Sequence, residues 1–173
     1  MIVASSRSGL LRKVFGAVLA LHTTVTFGQP IPRPENLTTC DEAVKVAAAV
    51  DGKIPLAEVA LYESRAVDLC SQQKGRDDPD TLRSMNDLAV SYSALGRSAE
   101  ALKLREETLA LRRTKLGPDH PDTLASMNSL ANSYSALGRT AEALKLREET
   151  LALRRTKLGP DHPNTLEIGR AHV

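Results

Sequence analysis

The sequence predicts an all-α solenoid of antiparallel helix pairs, and three observations support this fold class. One 42-residue unit is written twice, over residues 80–121 and 122–163, with differences at only four positions. A fixed period of this length is typical of arrays in which each unit buries its apolar face against its neighbours. The unit is rich in the helix formers Leu, Ala, Glu, Lys and Arg, which excludes the four-stranded blade of a propeller. Its apolar residues recur at helical spacing in two stretches.

Each unit is predicted to contain two helices, A and B. In helix A the apolar residues are three or four positions apart and form one stripe that we expect to be buried. The stripe consists of Leu82, Met85, Leu88, Ala89, Tyr92 and Leu95. Gly96 ends this helix because glycine readily adopts the positive φ that a C-terminal cap requires. Helix B runs from about Ala101 to Leu116, and its broader apolar surface indicates contacts with two helices. Gly117 ends helix B, and Pro121 fits the first turn of the next helix.

Residues 39–79 form a diverged first repeat. Moving back by one period aligns Gly75 with Gly117 and Pro79 with Pro121. The alignment predicts helix A from Thr39 to Val50 and helix B from Leu56 to Lys74. Lower similarity suits a terminal unit, whose outer face is more polar than that of an internal repeat.

The run SMNSLANSYSALGRTAEALKLREETLALRRTKLGPDHP resembles the long repeats of the kinesin light chain family of tetratricopeptide proteins. The residues that match the packing positions of that family are Leu130, Ala131, Tyr134, Gly138 and Ala143. The resemblance implies a right-handed superhelix in which helix A of each repeat lines a concave groove. A HEAT-type array is the alternative architecture with a similar period.

The segments outside the repeats carry separate expectations. Residues 1–28 have the positive start, short apolar core and small residues of a signal peptide, which predicts export to the periplasm or medium; the alternative is a cytoplasmic protein. Residues 29–38 read as a proline-rich linker. We expect residues 164–167 to begin a truncated repeat and residues 168–173 to be an artefactual tail. An uncapped last repeat would favour self-association.

Cys40 and Cys70 begin helix A and end helix B of the first repeat. These ends are neighbours in an antiparallel hairpin, so an exported chain could form a disulfide there. The alternative is a pair of free thiols in a helical core.

Composition and motifs argue against several function classes. The chain has no phosphate-binding glycine loop, no CxxC and no pair of histidines on one helix face, so we predict no catalytic site, metal or cofactor. A net charge of +2 and an aromatic content of 3% predict no nucleic-acid binding. We also expect no membrane association beyond export.

The differences between the two copies suggest where a partner binds. Three of them, at positions 83, 87 and 90, follow one stripe of helix A that lies beside the packed stripe. The resemblance adds Asn86 and Asn128, which match an asparagine that helps to hold extended peptides in relatives. The candidate partner-binding residues are Arg83, Asn86, Asp87, Val90, Ala125, Asn128, Ser129 and Asn132. Ordinary drift at exposed positions is the alternative explanation of these differences.

The sequence therefore predicts a non-catalytic scaffold that binds protein or peptide segments in the groove lined by helix A. One alternative is a regulatory or sensor fragment of a longer protein with a protease- or kinase-like domain. Another alternative is a self-assembling structural array.

Overall fold

The computed structural model describes residues 31–159, except for the side chain of Leu158. The predicted signal peptide, the start of a truncated repeat and the predicted tail lie outside these residues. Within the described range the structure has one short 3-10 helix, Pro34–Asn36, six α-helices and no strand, which confirms the all-α prediction. The α-helices are α1 (Cys40–Val50), α2 (Leu56–Gln73), α3 (Pro79–Ala94), α4 (Ser98–Leu116), α5 (Pro121–Ala136) and α6 (Thr140–Leu158).

The helices pack in chain order as three antiparallel hairpins, α1–α2, α3–α4 and α5–α6, and each hairpin packs on the next. The bounds of α5 and α6 are those of α3 and α4 displaced by one period. None of the helices in this range combines the length and apolar character that a membrane crossing requires.

The core consists of the apolar stripe predicted from the repeat. Met85 in α3 and Met127 in α5 are completely buried at equivalent positions. Around Met127, a cluster of buried and half-buried side chains joins α4, α5 and α6; its members are Leu102, Leu109, Leu124, Met127, Leu130, Tyr134, Leu146 and Leu153. Helix B therefore contacts its own helix A and the next one, as its broad apolar surface predicts.

Polar side chains cap the N-termini of the A helices. The Thr39 hydroxyl accepts a hydrogen bond from the Glu42 N–H at 3.3 Å, and the Asp78 carboxylate accepts one from the Asp80 N–H at 2.9 Å. At the next repeat, Nδ1 of His120 accepts the Asp122 N–H at 3.2 Å. These bonds satisfy backbone donors that the first helical turn leaves unpaired. The histidine of the inter-repeat turn is thus a helix cap.

Residues 34–38 differ from the extended linker that the prolines predict. Pro34–Asn36 form the 3-10 helix, and Leu37 is fully buried. The Arg65 guanidinium in α2 donates a hydrogen bond of 2.8 Å to the Leu37 carbonyl. The Gln73 amide also donates to the Thr38 carbonyl at 2.8 Å, so one buried side chain and two side-chain donors fix this segment against the first repeat.

Candidate functional site

The three divergent positions of α3 line a groove between α1, α2 and α3, which we call the first groove. Arg83, Asp87 and Val90 are exposed, and the Val90 side chain keeps 53% of its surface accessible. The groove has a volume of about 420 Å³ and is open to solvent along one side. The candidate stripe therefore lies on a concave surface between two successive A helices.

Small and aliphatic side chains form the walls of the first groove. Helix α1 contributes Val44, Ala47 and Ala48, α2 contributes Leu56, and α3 contributes Val90. Alanine at two of these positions leaves room between α1 and α3 that a longer side chain would fill. The short residues of α1 are the reason that the surface is concave here.

Glu63 in α2 lies at the floor of this groove. Its Oε2 atom is buried without a hydrogen-bond partner, although the residue is only half-buried overall. Burial raises the pKa of the Glu63 carboxyl, and the nearby carboxylates of Asp87 and Asp51 raise it further. A hydrogen bond with the Ser91 hydroxyl has the opposite, smaller effect on this pKa. The floor thus holds a carboxyl group whose charge is poorly compensated.

Glu63 was not predicted from the sequence, because its neighbours diverge from the duplicated repeats. A signal exists in the alignment of the three repeats: the same column holds Glu63, Arg105 and Arg147. Reversed charge in one column of an otherwise regular array marks a position that packing alone does not determine.

The remaining candidate residues of α3 and α5 have defined surroundings. The Asn86 amide is half-buried and donates to Oδ1 of Asp87 at 3.4 Å. Ser129 is half-buried, and its carbonyl accepts the Ser133 hydroxyl at 3.0 Å. The side-chain amide oxygen Oδ1 of Asn132 accepts a hydrogen bond from the Arg147 guanidinium at 3.1 Å. Ala125 is exposed and Asn128 is half-buried on the same helix.

Arg105 occupies the position equivalent to Glu63 in the next repeat. Its guanidinium donates a hydrogen bond to the Ser133 hydroxyl, the counterpart of Ser91. Burial lowers the pKa of Arg105, and its Nε–H is buried without a partner. We call the equivalent face of α3, α4 and α5 the second surface. It carries a positive charge where the first groove carries a negative one.

Cys40 and Cys70 form a disulfide with a Cα–Cα distance of 4.5 Å. The bond joins the start of α1 to the end of α2. Beside it, the Lys74 ammonium contacts carboxylate oxygens of Asp41 and Asp80, each at 2.6 Å. Cys40, Asp41 and Asp80 lie close enough to hold a metal ion. However, the sulfur is already bonded in the disulfide and both carboxylates already pair with the Lys74 ammonium, so this cluster links the first repeat to the start of α3.

Charged groups outside the groove join successive repeats. Lys115 contacts Asp77 at 2.7 Å, and the equivalent Lys157 contacts Asp119 at 2.9 Å. Arg113 contacts Glu149 at 2.7 Å. These ion pairs lie at exposed positions, and each connects one repeat to the next. The groove itself presents apolar walls, three carboxylates and one guanidinium on a single concave surface.

Comparisons with known proteins agree with this architecture. The sequence profile of the tetratricopeptide repeat matches residues 64–113 and 88–156. A solved structure of nearly identical TPR-like repeats, attributed to a kinesin light chain of Podosopora anserina, has 28% sequence identity and a TM-score of 0.64. This match covers 74% of the present chain and 61% of the other chain. No curated protein matches the chain.

Two further solved structures share the fold at lower identity. BtubC (BKLC) from P. vanneervenii is 17% identical with a TM-score of 0.62, over 73% of this chain and 52% of that one. MamA is 16% identical with a TM-score of 0.54, over 70% of this chain and 61% of that one. The present chain thus spans between about half and two thirds of the length of these three proteins.

Proposed function

Because the chain belongs to the tetratricopeptide repeat family, whose fold typically mediates protein–protein interaction and is generally non-catalytic, we propose that it binds extended peptide segments of a protein partner in the first groove. The observation that carries this proposal is the first groove itself. It lies between the A helices of two repeats and contains three of the positions at which the copies differ.

The lining of the groove suits a peptide in an extended conformation. Aliphatic walls offer apolar contact to alternate side chains, while the exposed Asp87 offers a carboxylate to the N–H groups of a peptide backbone. Along α3, Asn86 presents a half-buried amide next to Asp87. This combination of apolar walls and a few polar groups is typical of peptide-binding grooves and gives a reason for the exposed Val90.

We propose that the protein acts after export. Residues 1–28 carry the signal-peptide pattern, and disulfides persist in oxidising compartments rather than in the reducing cytosol. The Cys40–Cys70 bond is the structural observation that supports this location.

Selection from a random dodecapeptide display library on the full-length chain tests the groove proposal. Wild-type protein is expected to enrich peptides, and Ala48→Trp is expected to abolish their binding because an indole would fill the groove. Ala110→Trp is the control, since Ala110 is exposed on α4 and lies outside the groove lining. Equal peptide binding by wild type and Ala48→Trp, or no enriched peptide at all, would overturn the proposal.

A further inference from the structure

The first groove and the second surface differ in charge at equivalent positions. The lining of the first groove contains three carboxylates, from Asp51, Glu63 and Asp87, and one guanidinium, from Arg83. One period later the corresponding residues are Ser93, Arg105, Ser129 and Ala125. Three acids and one base are therefore replaced by one base and no acid. Charges of this arrangement select partners by complementarity.

The walls differ in polarity as well. Val44 and Leu56 in the first groove correspond to Asn86 and Ser98, and Val90 corresponds to Asn132. The first groove therefore combines apolar walls with an acidic floor, whereas the second surface has polar residues at three of the wall positions and a guanidinium at the floor. A lysine or arginine side chain has the matching form, with an aliphatic stem that packs on apolar surface and a cationic end.

The arrangement at the floor favours a cation in particular. The buried Oε2 of Glu63 has no hydrogen-bond partner, so the carboxyl is poorly compensated, and a cation in the groove beside Glu63 and Asp87 would stabilise the carboxylate charges. The folded protein has already desolvated this carboxyl, and binding does not have to repeat that cost. Arg83, on the other hand, repels a cationic ligand, and Arg112 in α4 lies close enough to Asp87 for their charges to interact.

We propose that the first groove is a subsite for a lysine or arginine side chain of the bound peptide, with the stem between Val44, Ala48 and Val90 and the cationic end facing Glu63 and Asp87. This inference rests on the proposed peptide-binding function and adds the chemistry of the ligand. It predicts that the first repeat pair selects a basic residue and that the next pair does not.

The dodecapeptide selection described above provides the first test. Peptides enriched by the wild-type chain should share one Lys or Arg at a fixed place in their sequences. Replacing that residue with norleucine keeps the stem and removes the charge, and it should weaken binding roughly tenfold or more in fluorescence anisotropy.

The second test changes the protein and includes one control variant. Glu63→Gln combined with Asp87→Ser preserves side-chain shape at Glu63 and installs the residue that the next repeat carries at position 129. The double variant should lose roughly tenfold in affinity for the Lys or Arg peptide and should no longer distinguish it from the norleucine peptide. Asp68→Ser removes one negative charge from an exposed position on α2 outside the lining, and it should leave the affinity unchanged.

The outcomes separate this inference from the proposed function. Peptides without a shared basic residue whose binding is still blocked by Ala48→Trp would overturn the inference and leave the groove function intact. An equal loss in Asp68→Ser would also overturn it, because the effect would then be general electrostatic attraction. Binding that survives Ala48→Trp would overturn both proposals.

Discussion

The first repeat and the two duplicated repeats have the same helix-pair fold but pack it with different side chains. On the buried stripe of α1 the chain has Cys40, Ala43, Val46 and Val50, whereas α3 has Leu82, Met85, Leu88 and Tyr92 at the equivalent positions. Smaller residues bury less apolar surface and therefore contribute less to stability. The first repeat adds a covalent bond between its two helices. Packing holds the duplicated repeats together, and a disulfide supplements packing in the first.

The same difference affects the surface. The lining of the first groove includes the short α1 residues Ala47 and Ala48, and the next repeat has Val90 in place of Ala48. The concavity beside α3 is therefore lined by short side chains of α1. Short residues of the first repeat thus line the first groove, and the disulfide offsets the smaller apolar area that they bury.

The largest effect is expected from the core of the duplicated repeats. Met127→Ala should lower the free energy of unfolding by about 4 kcal/mol, because it removes a fully buried side chain from the cluster that joins α4, α5 and α6. Met85→Ala should have a similar effect at the equivalent position. Urea denaturation followed by circular dichroism measures both. A loss below about 1 kcal/mol at either site would show that packing is not what holds these repeats.

Loss of the disulfide should have the second largest effect on the free energy of unfolding. Cys40→Ser with Cys70→Ser should cost about 3 kcal/mol, since the bond closes a loop between residues separated by 30 positions. The effect should be local, because repeats contact only their neighbours. Hydrogen exchange should therefore accelerate in α1 and α2 and remain unchanged in α6. A uniform acceleration along the chain would contradict the claim that the disulfide stabilises the first repeat in particular.

The sequence predicted the helices well because every local signal in the repeat agrees. The expected helix A of the first repeat began at Thr39, which is the N-cap of α1, and the expected helix B ended at Lys74, which is the C-cap of α2. Glycines with positive φ end the helices as predicted, as at Gly96 with φ of 75°. Period, capping and apolar spacing reinforce one another, so even the diverged repeat could be aligned.

The candidate site could be predicted only in part. The stripe of Arg83, Asp87 and Val90 followed from the differences between two copies, whereas Glu63 lies in a repeat with no near-identical partner. Its importance depends on which side chains surround it across α1 and α3, and a pattern along one helix does not contain that information. The burial of Leu37 was not predicted for a similar reason, because the segment is fixed by contacts between residues that are distant in sequence, such as the hydrogen bond from Arg65 to the Leu37 carbonyl.

Replacement of Glu63 should show how the acidic floor of the first groove affects stability. The raised pKa of Glu63 means that the folded state holds its proton more tightly than the unfolded state does. Stability from this group is therefore complete at acidic pH and decreases as pH rises from about 4.5 through the folded-state pKa. Glu63→Gln should raise the melting temperature at pH 7 and leave it almost unchanged at pH 4. An equal effect at both values would contradict the uncompensated charge.

The smallest effects are expected at the ion pairs that repeat with the period. Lys115→Ala and Lys157→Ala each remove one exposed contact, with Asp77 and with Asp119, and exposed pairs contribute little because water screens them. Both substitutions should lower the melting temperature slightly and by the same amount, and about 1 M NaCl should remove the difference from wild type. Lysine lowers the pKa of both aspartates, so this stabilisation should also disappear as pH falls through their lowered values. Unequal effects at the two lysines would show that near-identical sequence does not give the two copies equal surroundings.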